Sequence, residues 1–410
     1  MSTTAVTLPD TLVHPFAPAG RRDPYPAYRW LQTHAPVHHD PFSGMWLVTG
    51  HAACSALLRD ARFSAALGQR ERARDDRLPV SMLTTDPPDH QRLRAPGGLL
   101  LGPAALRSIT DGLSQDVDAV LDALARRRDE PDAIRDLGTP LATAVFGRLF
   151  GLPAHEHPAF TTLARAASVN LDPMTPPALA ARGRLAAGAL TRYLDAHARG
   201  LKARGDTSAP LAALADDDRL ERGEMLGILS LAVIGGWQPL AETVGNGLLW
   251  LLPHAATVRR QLVEDPEFAR SCVDELLRLE APIPFAARVA TEAVDLPGGS
   301  VPAGARVLAV IAAANRDPAV FSDPDLLVPD RRPNPHLAFG AGAHFCLAAA
   351  LVRQVLPTLL ARLLARFPEL RGPDVPPAWE PTLVPRRLTA YPLRLGPSGP
   401  PTGPTTSEGN

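Results

Sequence analysis

The sequence predicts a single, mainly α-helical domain with a small β portion. Apolar residues recur at helical spacing over most of the chain from His51 onward, whereas strand-like stretches are few and short. No internal repeat or clear linker divides the chain, although its 410 residues would allow two or three domains. We therefore expect an irregular arm at 1–22, one domain at 23–396 and a disordered tail at 397–410, where apolar residues are scarce.

The first elements are a short helix and a hairpin. Residues 23–36, DPYPAYRWLQTHAP, have a helical pattern that proline ends. VHHD and MWLVTG then have the pattern of two strands joined by the turn PFSG.

Helices are predicted for most of the remaining chain. The segments with helical periodicity are 51–59, 103–127, 139–150, 158–170, 177–204, 221–252, 255–263, 266–280 and 347–366. Strand-like segments return late in the chain, at 287–296, 300–311 and 388–395.

Composition excludes several function classes. The formal net charge is −1 at pH 7, so nothing indicates a nucleic-acid or acidic-surface partner. The N-terminus has no basic region followed by a long apolar run, so we expect neither a secretion signal nor a membrane anchor. Cys54, Cys272 and Cys346 fit neither a disulfide framework nor a paired metal motif, which favours a reducing cytoplasm. We expect Cys54 and Cys272 to be packing residues.

The segment from His336 to Gln354, HLAFGAGAHFCLAAALVRQ, contains the strongest chemical signal. Gly340 and Gly342 allow a tight turn and a close approach of the backbone. The residues after Cys346 have a helical pattern, so Cys346 lies near a helix N-terminus, where the helix dipole favours a thiolate. Such a thiolate would be either a nucleophile or a metal ligand.

The stretch FGAGAHFCLA, Phe339–Ala348, resembles the haem-binding loop of the cytochromes P-450, whose pattern is F-G-x-G-x-H/R-x-C-x-G/A. It meets every specified position. Three further stretches follow the order of that family, namely DPPDHQRLR at 86–94, ELLR with Glu275 and Arg278, and the segment 288–321 with RVATEAV and AANRDPAVF.

This resemblance covers residues 20–396 and implies the cytochrome P-450 fold with haem b (iron protoporphyrin IX) as cofactor. Cys346 would be the axial iron ligand, because thiolate ligation favours O–O cleavage, the chemistry of that family. By the resemblance, the two haem propionates would be held by His90, Arg94, Arg288 and His344, because cationic side chains pair with carboxylates. Glu275 and Arg278 would be structural, joining the helix to the loop before the haem. The residues implied to contact the cofactor are His90, Arg94, Arg288, Phe339, Gly340, His344, Cys346 and Ala348.

The oxygen-binding helix departs from the family pattern A/G-G-x-D/E-T. In LSLAVIGGWQPLAETVGNGLLWLL, Gly236 matches the pattern, but Gln238 occupies the acid position and Pro239 the alcohol position. Gln does not titrate and Pro has neither hydroxyl nor N–H, so the usual proton-delivering pair is absent. Pro239 also predicts a kink near Gly236, and Thr243, one turn later, is not expected to replace the hydroxyl. Gly236, Gln238 and Pro239 remain the candidate catalytic positions.

Three explanations of this departure stay open. Water or a substrate group delivers the protons, or hydrogen peroxide supplies oxygen and protons together, or the enzyme abstracts hydrogen from a phenol or indole and couples radicals. Some peroxide-using relatives also have proline at this position, but they have arginine where this chain has Gln238. The sequence therefore favours the first or third explanation.

The surface that docks an electron donor is also expected to differ from that of other family members. Relatives of this family usually continue the helix after residue 94 with basic residues that dock an acidic ferredoxin. Here 96–98, Pro-Gly-Gly, is expected to break the helix early and weaken that patch, although Arg92 and Arg353 remain. The resemblance implies a separate ferredoxin and ferredoxin reductase, since no such module is fused to the chain.

The substrate is expected to be a small molecule or a short peptide. Trp237 and Phe285 are able to stack on an aromatic substrate. The charged stretch GQRERARDDR at 68–77 is either a solvated surface loop or a lid that recognises a peptide or a carboxylate. The candidate substrate-binding residues are Trp237, Leu240, Ile283, Phe285, Ala286 and Val384.

Three function classes compete. The first is a haem-thiolate oxidase or monooxygenase of specialised metabolism, which hydroxylates its substrate or couples aromatic groups such as Tyr and Trp side chains of a peptide. The second is a peroxide-driven peroxygenase, and the third is a non-catalytic haem-binding sensor. The intact haem loop and E-x-x-R motif favour the first.

Overall fold

A computed structural model describes residues 8–66, 80–172 and 175–397 of the chain, and most of these residues are helical. The α-helices in these ranges are α1 (Tyr25–His34), α2 (His51–Arg59), α3 (Asp89–Leu101), α4 (Pro103–Ala125), α5 (Thr139–Phe150), α6 (His157–Ala167), α7 (Pro177–Arg204), α8 (Pro210–Ala215), α9 (Arg222–Ala232), α10 (Gln238–Leu251), α11 (Ala255–Glu264), α12 (Pro266–Leu279), α13 (Ile311–Ala314) and α14 (Ala349–Arg366).

The strands form one mixed sheet and two small ribbons. They are β1 (Val37–Asp40), β2 (Met45–Val48), β3 (Phe63–Ser64), β4 (Phe285–Ala290), β5 (Val294–Leu296), β6 (Gly299–Val301), β7 (Arg306–Val310), β8 (Ala378–Trp379) and β9 (Leu388–Ala390). The main sheet has the order β1-β2-β7-β4-β3, and only β2 and β7 are parallel. In this way the predicted N-terminal hairpin pairs with strands from the last third of the chain.

The long apolar segment Arg222–Glu264 is the central helix of the protein. By length and composition it could cross a membrane, but 72% of its most apolar window is buried inside the molecule. Helix α10 packs against α5, α12 and the π-helical turn Ala133–Gly138. Its apolar composition is therefore explained by burial on nearly every side.

A π-helical turn, Val233–Trp237, separates α9 from α10. Pro239 has no N–H to donate to the carbonyl of Gly235, four residues earlier. The backbone N–H of Gln238 donates instead to the carbonyl of Val233, five residues earlier. The irregularity expected near Gly236 is thus a widened helical turn, of the kind often found at functional sites.

The sequence predicted most helices, and several boundaries agree. The helices at 51–59, 139–150 and 177–204 have the predicted bounds. The segment 221–252, predicted as one helix, contains α9, the π-helical turn and α10, and the short helices α8 and α13 were not predicted.

The expected helix break at 96–98 is wrong. Helix α3 continues through Pro96 because Leu93 and Leu100 lie on its buried face, and their packing outweighs the hydrogen bond that proline removes.

Candidate functional site

The glycine-rich loop before α14 holds Cys346 in a tight turn. Gly340 and Gly342 have φ of +70° and +69°, a region that favours glycine. A Cβ at Gly342 would lie 2.4 Å from the carbonyl oxygen of Leu58, so no larger residue fits against α2. The backbone N–H of Cys346 donates to the carbonyl of Phe339 over 2.8 Å, which closes the loop. The predicted role of both glycines is confirmed by this geometry.

The electrostatics of Cys346 correct one expectation from the sequence. Burial raises the pKa of the Cys346 thiol above its usual value, although the N–H of Ala348 and the charges of Arg94 and Arg353 act in the opposite direction. The helix N-terminus therefore does not by itself produce a thiolate. Coordination to a metal ion would stabilise the anion, because coordination deprotonates a thiol. The other two cysteines are buried packing residues, as predicted.

Four basic side chains converge beside the cysteine loop. The imidazole rings of His90 on α3 and His344 lie 4.3 Å apart between centroids. Arg288 on β4 is 9% exposed, and its Nη1 donates to the carbonyl of Ala287. Burial, then the charges of Arg288, His90 and Arg94, lower the pKa of His344 to about 4. The four residues that the sequence assigned to the propionates are thus neighbours in space.

The carboxylate of Asp86 acts on this basic cluster, but it accepts hydrogen bonds from the hydroxyl of Ser64 and the N–H of Ala65. Both ring nitrogens of His90 are buried without a hydrogen-bond partner among the described residues. Within the same ranges no carboxylate forms an ion pair with Arg288. Buried donors without partners are rare and costly, so these groups fit an anionic ligand placed next to Cys346. A porphyrin with two propionates, bound through the sulfur of Cys346, would meet both requirements.

We expect Arg288→Leu to release haem at least about tenfold faster, because loss of a buried charge-paired contact costs about 2 kcal/mol or more. The measurement is the rate of haem transfer from the holoprotein to excess apomyoglobin. Arg306→Leu is the matched control, since Arg306 is exposed on the adjacent strand opposite Val289. Equal transfer rates for the two variants would contradict the role of Arg288.

The E-x-x-R pair is a buried clamp for the chain that leads to the cysteine loop. Arg278 donates to both carboxylate oxygens of Glu275, at 2.7 and 2.8 Å. Its Nη1 also donates to the carbonyl oxygens of Asn315 and Pro324. Glu275 further accepts from Arg331. The predicted structural role of this pair is confirmed by these contacts.

The middle of the central helix is accessible at two glycines. Gly235 is exposed and Gly236 is half-buried, whereas nearly every residue that follows is buried. A Cβ at Gly236 would lie 2.9 Å from Cζ of Phe146. This part of the helix therefore has an accessible surface where it widens, as expected for a helix that borders a reaction pocket.

Trp237 and Leu240 are core residues, contrary to the sequence prediction. Trp237 is 1% exposed, donates from Nε1 to Oγ1 of Thr143, and packs edge-on against Phe160. Leu240 is 3% exposed in the same apolar cluster. Neither is open to a substrate.

The hydroxyl of Thr243 does not replace the missing alcohol. It donates to the carbonyl of Pro239 over 2.6 Å. Thr243 also lines a small cavity with residues of α12 and α14. This position agrees with the prediction that Thr243 does not replace the missing hydroxyl.

A buried carboxylate that sequence reasoning missed lies one turn after Gln238. Glu242 is 3% exposed, and its Oε1 accepts a 2.7 Å hydrogen bond from Nε2 of Gln238. Nη1 of Arg387 lies 3.5 Å from the same oxygen. The signal in the sequence was an acid four residues after Gln238 in an otherwise apolar helix, since that spacing puts both residues on one face.

The remaining candidate substrate residues lie in two neighbouring segments. Ile283, Phe285, Ala286 and Val384 are all half-buried, and Phe285 and Val384 pack against one apolar cluster. The charged stretch at 68–77 lies outside the described residues.

Another buried carboxylate, that of Glu280, joins the segment around Phe285 to the segment around Val384. It accepts hydrogen bonds from the hydroxyl of Tyr25 and from Nε of Arg386. Arg386 also donates to the carbonyls of Arg21 and Arg22. The arm before α1 is thereby fixed to the segment before β9.

Comparisons with known proteins agree with this site. The sequence profile of the family Cytochrome P450 matches residues 250–385, which include the E-x-x-R pair and the cysteine loop. Nocardicin C N-oxygenase from Nocardia uniformis subsp. tsuyamanensis is 35% identical over 89% of this chain and 94% of its own length.

Two solved structures are similar over nearly the whole chain. The crystal structure of CalO2 has a TM-score of 0.84 at 31% identity, covering 95% of this chain and 100% of that chain. The cytochrome P450 enzyme CxnD for C–S bond formation in chuangxinmycin biosynthesis has a TM-score of 0.83 at 27% identity, covering 98% of this chain and 99% of that chain.

Proposed function

The chain belongs to the cytochrome P450 family of haem enzymes, and we propose that it oxidises a small molecule or short peptide in natural-product biosynthesis. It does so in the cytoplasm, with dioxygen and with electrons from a separate ferredoxin and ferredoxin reductase. The observation that carries this proposal is the basic cluster beside Cys346, because its buried groups without hydrogen-bond partners fit the propionates of a haem bound through sulfur.

The residues of the site have distinct roles in this proposal. Cys346 binds the iron, and haem with a thiolate ligand supplies the cleavage of the O–O bond. His90, Arg94, Arg288 and His344 hold the propionates by charge-assisted hydrogen bonds. Phe339, Gly340 and Ala348 form the loop that surrounds the sulfur and limits its contact with water. These three loop residues contact the cofactor and not the substrate.

The reaction is either hydroxylation or oxidative coupling. Similar proteins are named for N-oxygenation and for C–S bond formation, so oxidation at a heteroatom is within the range of the fold. The burial of Trp237 removes one argument for aromatic coupling, since its ring is not available to stack on a substrate. Phe285 is half-buried and keeps that role in the proposal. Coupling of Tyr or Trp side chains in a peptide therefore rests on Phe285 and on the missing acid–alcohol pair.

The surface expected to dock an electron donor has few unpaired positive charges. Arg92 forms an ion pair with Glu224, and Arg353 forms one with Asp274. Both cations that the sequence left for docking are therefore partly neutralised within the chain. We expect a ferredoxin to bind weakly and with little salt dependence, because salt screens free charges and this surface has few.

A peroxide-driven reaction is the alternative, and Pro239 is the observation that favours it. The discriminating experiment first screens aromatic small molecules and Tyr- or Trp-containing peptides for a spin-state shift in the absorption spectrum. The substrates found are then incubated with a ferredoxin system and dioxygen, or with hydrogen peroxide alone. Product only in the first reaction supports the proposal, and product only in the second establishes the alternative.

A further inference from the structure

We propose that Glu242 replaces the missing acid of the oxygen-binding helix and supplies protons to the reaction pocket through Gln238. This inference rests on the proposed use of dioxygen. Gln238 occupies the usual position of the acid, and its Nε2 donates over 2.7 Å to Oε1 of Glu242, one turn further along α10. The carboxyl group is therefore displaced along the helix by one turn and remains joined to the original position by a hydrogen bond.

The hydrogen bonding of Glu242 differs from that of the two structural carboxylates. Both oxygens of Glu275 accept hydrogen bonds, and so do both oxygens of Glu280. Within the described residues, Oε2 of Glu242 has no partner, and Oε1 of Gln238 has none either. A carboxylate that only holds the fold together would be saturated with donors. These two buried oxygens, on side chains joined by a hydrogen bond, leave room in the hydrogen bonding for a proton and a water.

The electrostatics of the three carboxylates differ in the same way. Burial would raise the pKa of Glu275 and of Glu280, but the arginines paired with each outweigh it and lower both pKa values. For Glu242 burial prevails, and its pKa lies above the usual value. The charged groups that face it are Arg387 from the segment before β9 and Arg165 from α6, and both act in the opposite direction. Of these three carboxyl groups, Glu242 is thus the one whose surroundings favour the protonated form, as a general acid requires.

A path connects Glu242 with solvent. The guanidinium of Arg387 lies 3.5 Å from Oε1, and the Arg387 side chain is 24% exposed, whereas the Glu242 side chain is 4% exposed. Arg165 is exposed and donates from Nη2 to Oγ1 of Thr139. Water beside these two cations can return a proton to the carboxylate after it has given one up.

The proton balance of the reaction defines the role of this route. Insertion of one oxygen atom into a substrate consumes dioxygen, two electrons and two protons, and it forms one water. In our proposal the proton leaves Oε2 of Glu242 for a water that is hydrogen-bonded to the amide of Gln238, and it then reaches the accessible helix surface at Gly236. The carboxylate is reprotonated from solvent past Arg387. Gln238 acts as a positioning residue, since its amide does not titrate.

We expect Glu242→Gln to lower the product formed per electron pair about tenfold or more, because general acids contribute roughly 10²–10⁴-fold. Gln keeps the size of the side chain and a hydrogen bond to Gln238, so folding and haem content are expected to be unchanged. Product formed with hydrogen peroxide is expected to be unaffected, since peroxide brings its own protons. The coupling of the wild-type protein is expected to fall as pH rises through the Glu242 pKa, and the variant is expected to lack this decrease.

Two further measurements separate proton delivery from a structural role. Infrared difference spectra of the ferric holoprotein across pH are expected to show a protonated carboxyl band that Glu242→Gln removes. The double variant Gln238→Glu/Glu242→Gln exchanges the two side chains, so it restores an acid to the same hydrogen-bonded pair and is expected to recover coupling. Thr243→Val is the control on the same helix, and its coupling is expected to match the wild-type value.

The outcomes distinguish this inference from the proposed function. If the wild-type protein turns over with reductant and dioxygen, and Glu242→Gln keeps both its coupling and its pH dependence, then the assignment of Glu242 is wrong and the function stands. If the wild-type protein forms no product with reductant and dioxygen, the proposed function fails, and the assignment fails with it.

Discussion

Replacing Cys346 by serine will remove the thiolate band from the spectrum of the reduced protein with carbon monoxide. Product formation will fall by at least about three orders of magnitude, because electron donation from sulfur is what favours O–O cleavage at the haem iron. Serine has nearly the same size and fits the same turn, so the loop closed by the hydrogen bond to Phe339 remains. The loss is therefore one of ligand chemistry and not of folding.

The control for this experiment is Cys54→Ser. Cys54 is fully buried, and its Sγ donates to the carbonyl of Val48 over 3.1 Å, a bond that a serine hydroxyl can also form. This variant undergoes the same chemical change at a buried cysteine away from the loop. Its spectrum with carbon monoxide should match the wild-type spectrum. A thiolate band that survives in Cys346→Ser but disappears in Cys54→Ser would show that the wrong sulfur was assigned.

Much of the site was predictable because its motifs are local in sequence. The geometry around Cys346 depends on two glycines within a few residues of it, and the clamp of Glu275 and Arg278 depends on a spacing of three along one helix. Family resemblance then placed Arg288 and His90 beside them, although they come from distant segments. When a local pattern is shared with a family, the long-range contacts of that family can be predicted together with it.

The wrong predictions depend on tertiary packing that no local pattern contains. Helix α3 continues through Pro96 because its buried face is fixed by neighbouring helices. Trp237 is in the core because it donates to Thr143 and packs against Phe160, which belong to helices far away in the sequence. Glu242 was missed because its importance comes from Gln238 and Arg387, and the latter follows it by more than a hundred residues. Each of these properties is set by a contact between distant parts of the chain.

The same reasoning about buried charge gives the largest expected effect on stability, which is that of Arg278→Leu. Glu275 and Arg278 are 0% and 1% exposed. Removing the guanidinium takes away the nearest positive charge from the buried carboxylate of Glu275. The carbonyls of Asn315, Pro324 and Leu326 also lose that hydrogen-bond donor. Breaking a buried ion pair by removing one partner costs about 3–5 kcal/mol. That is a large part of the usual free energy of unfolding, about 5–15 kcal/mol.

The measurement is denaturant unfolding of the holoprotein, followed by far-ultraviolet circular dichroism and by haem absorption. We expect Arg278→Leu to lose haem at a lower denaturant concentration than the one that unfolds its helices, because the clamp holds the chain that leads to the cysteine loop.

Arg278→Lys should recover only part of the stability, since one ammonium cannot supply the donors of the guanidinium fork. Arg270→Leu changes an exposed arginine of the same helix, so it should stay within about 0.5 kcal/mol of the wild-type value. A free energy of unfolding for Arg278→Leu equal to that of Arg270→Leu would mean that the loop is held by its own glycine turn, and the clamp would then have no structural role in presenting the sulfur.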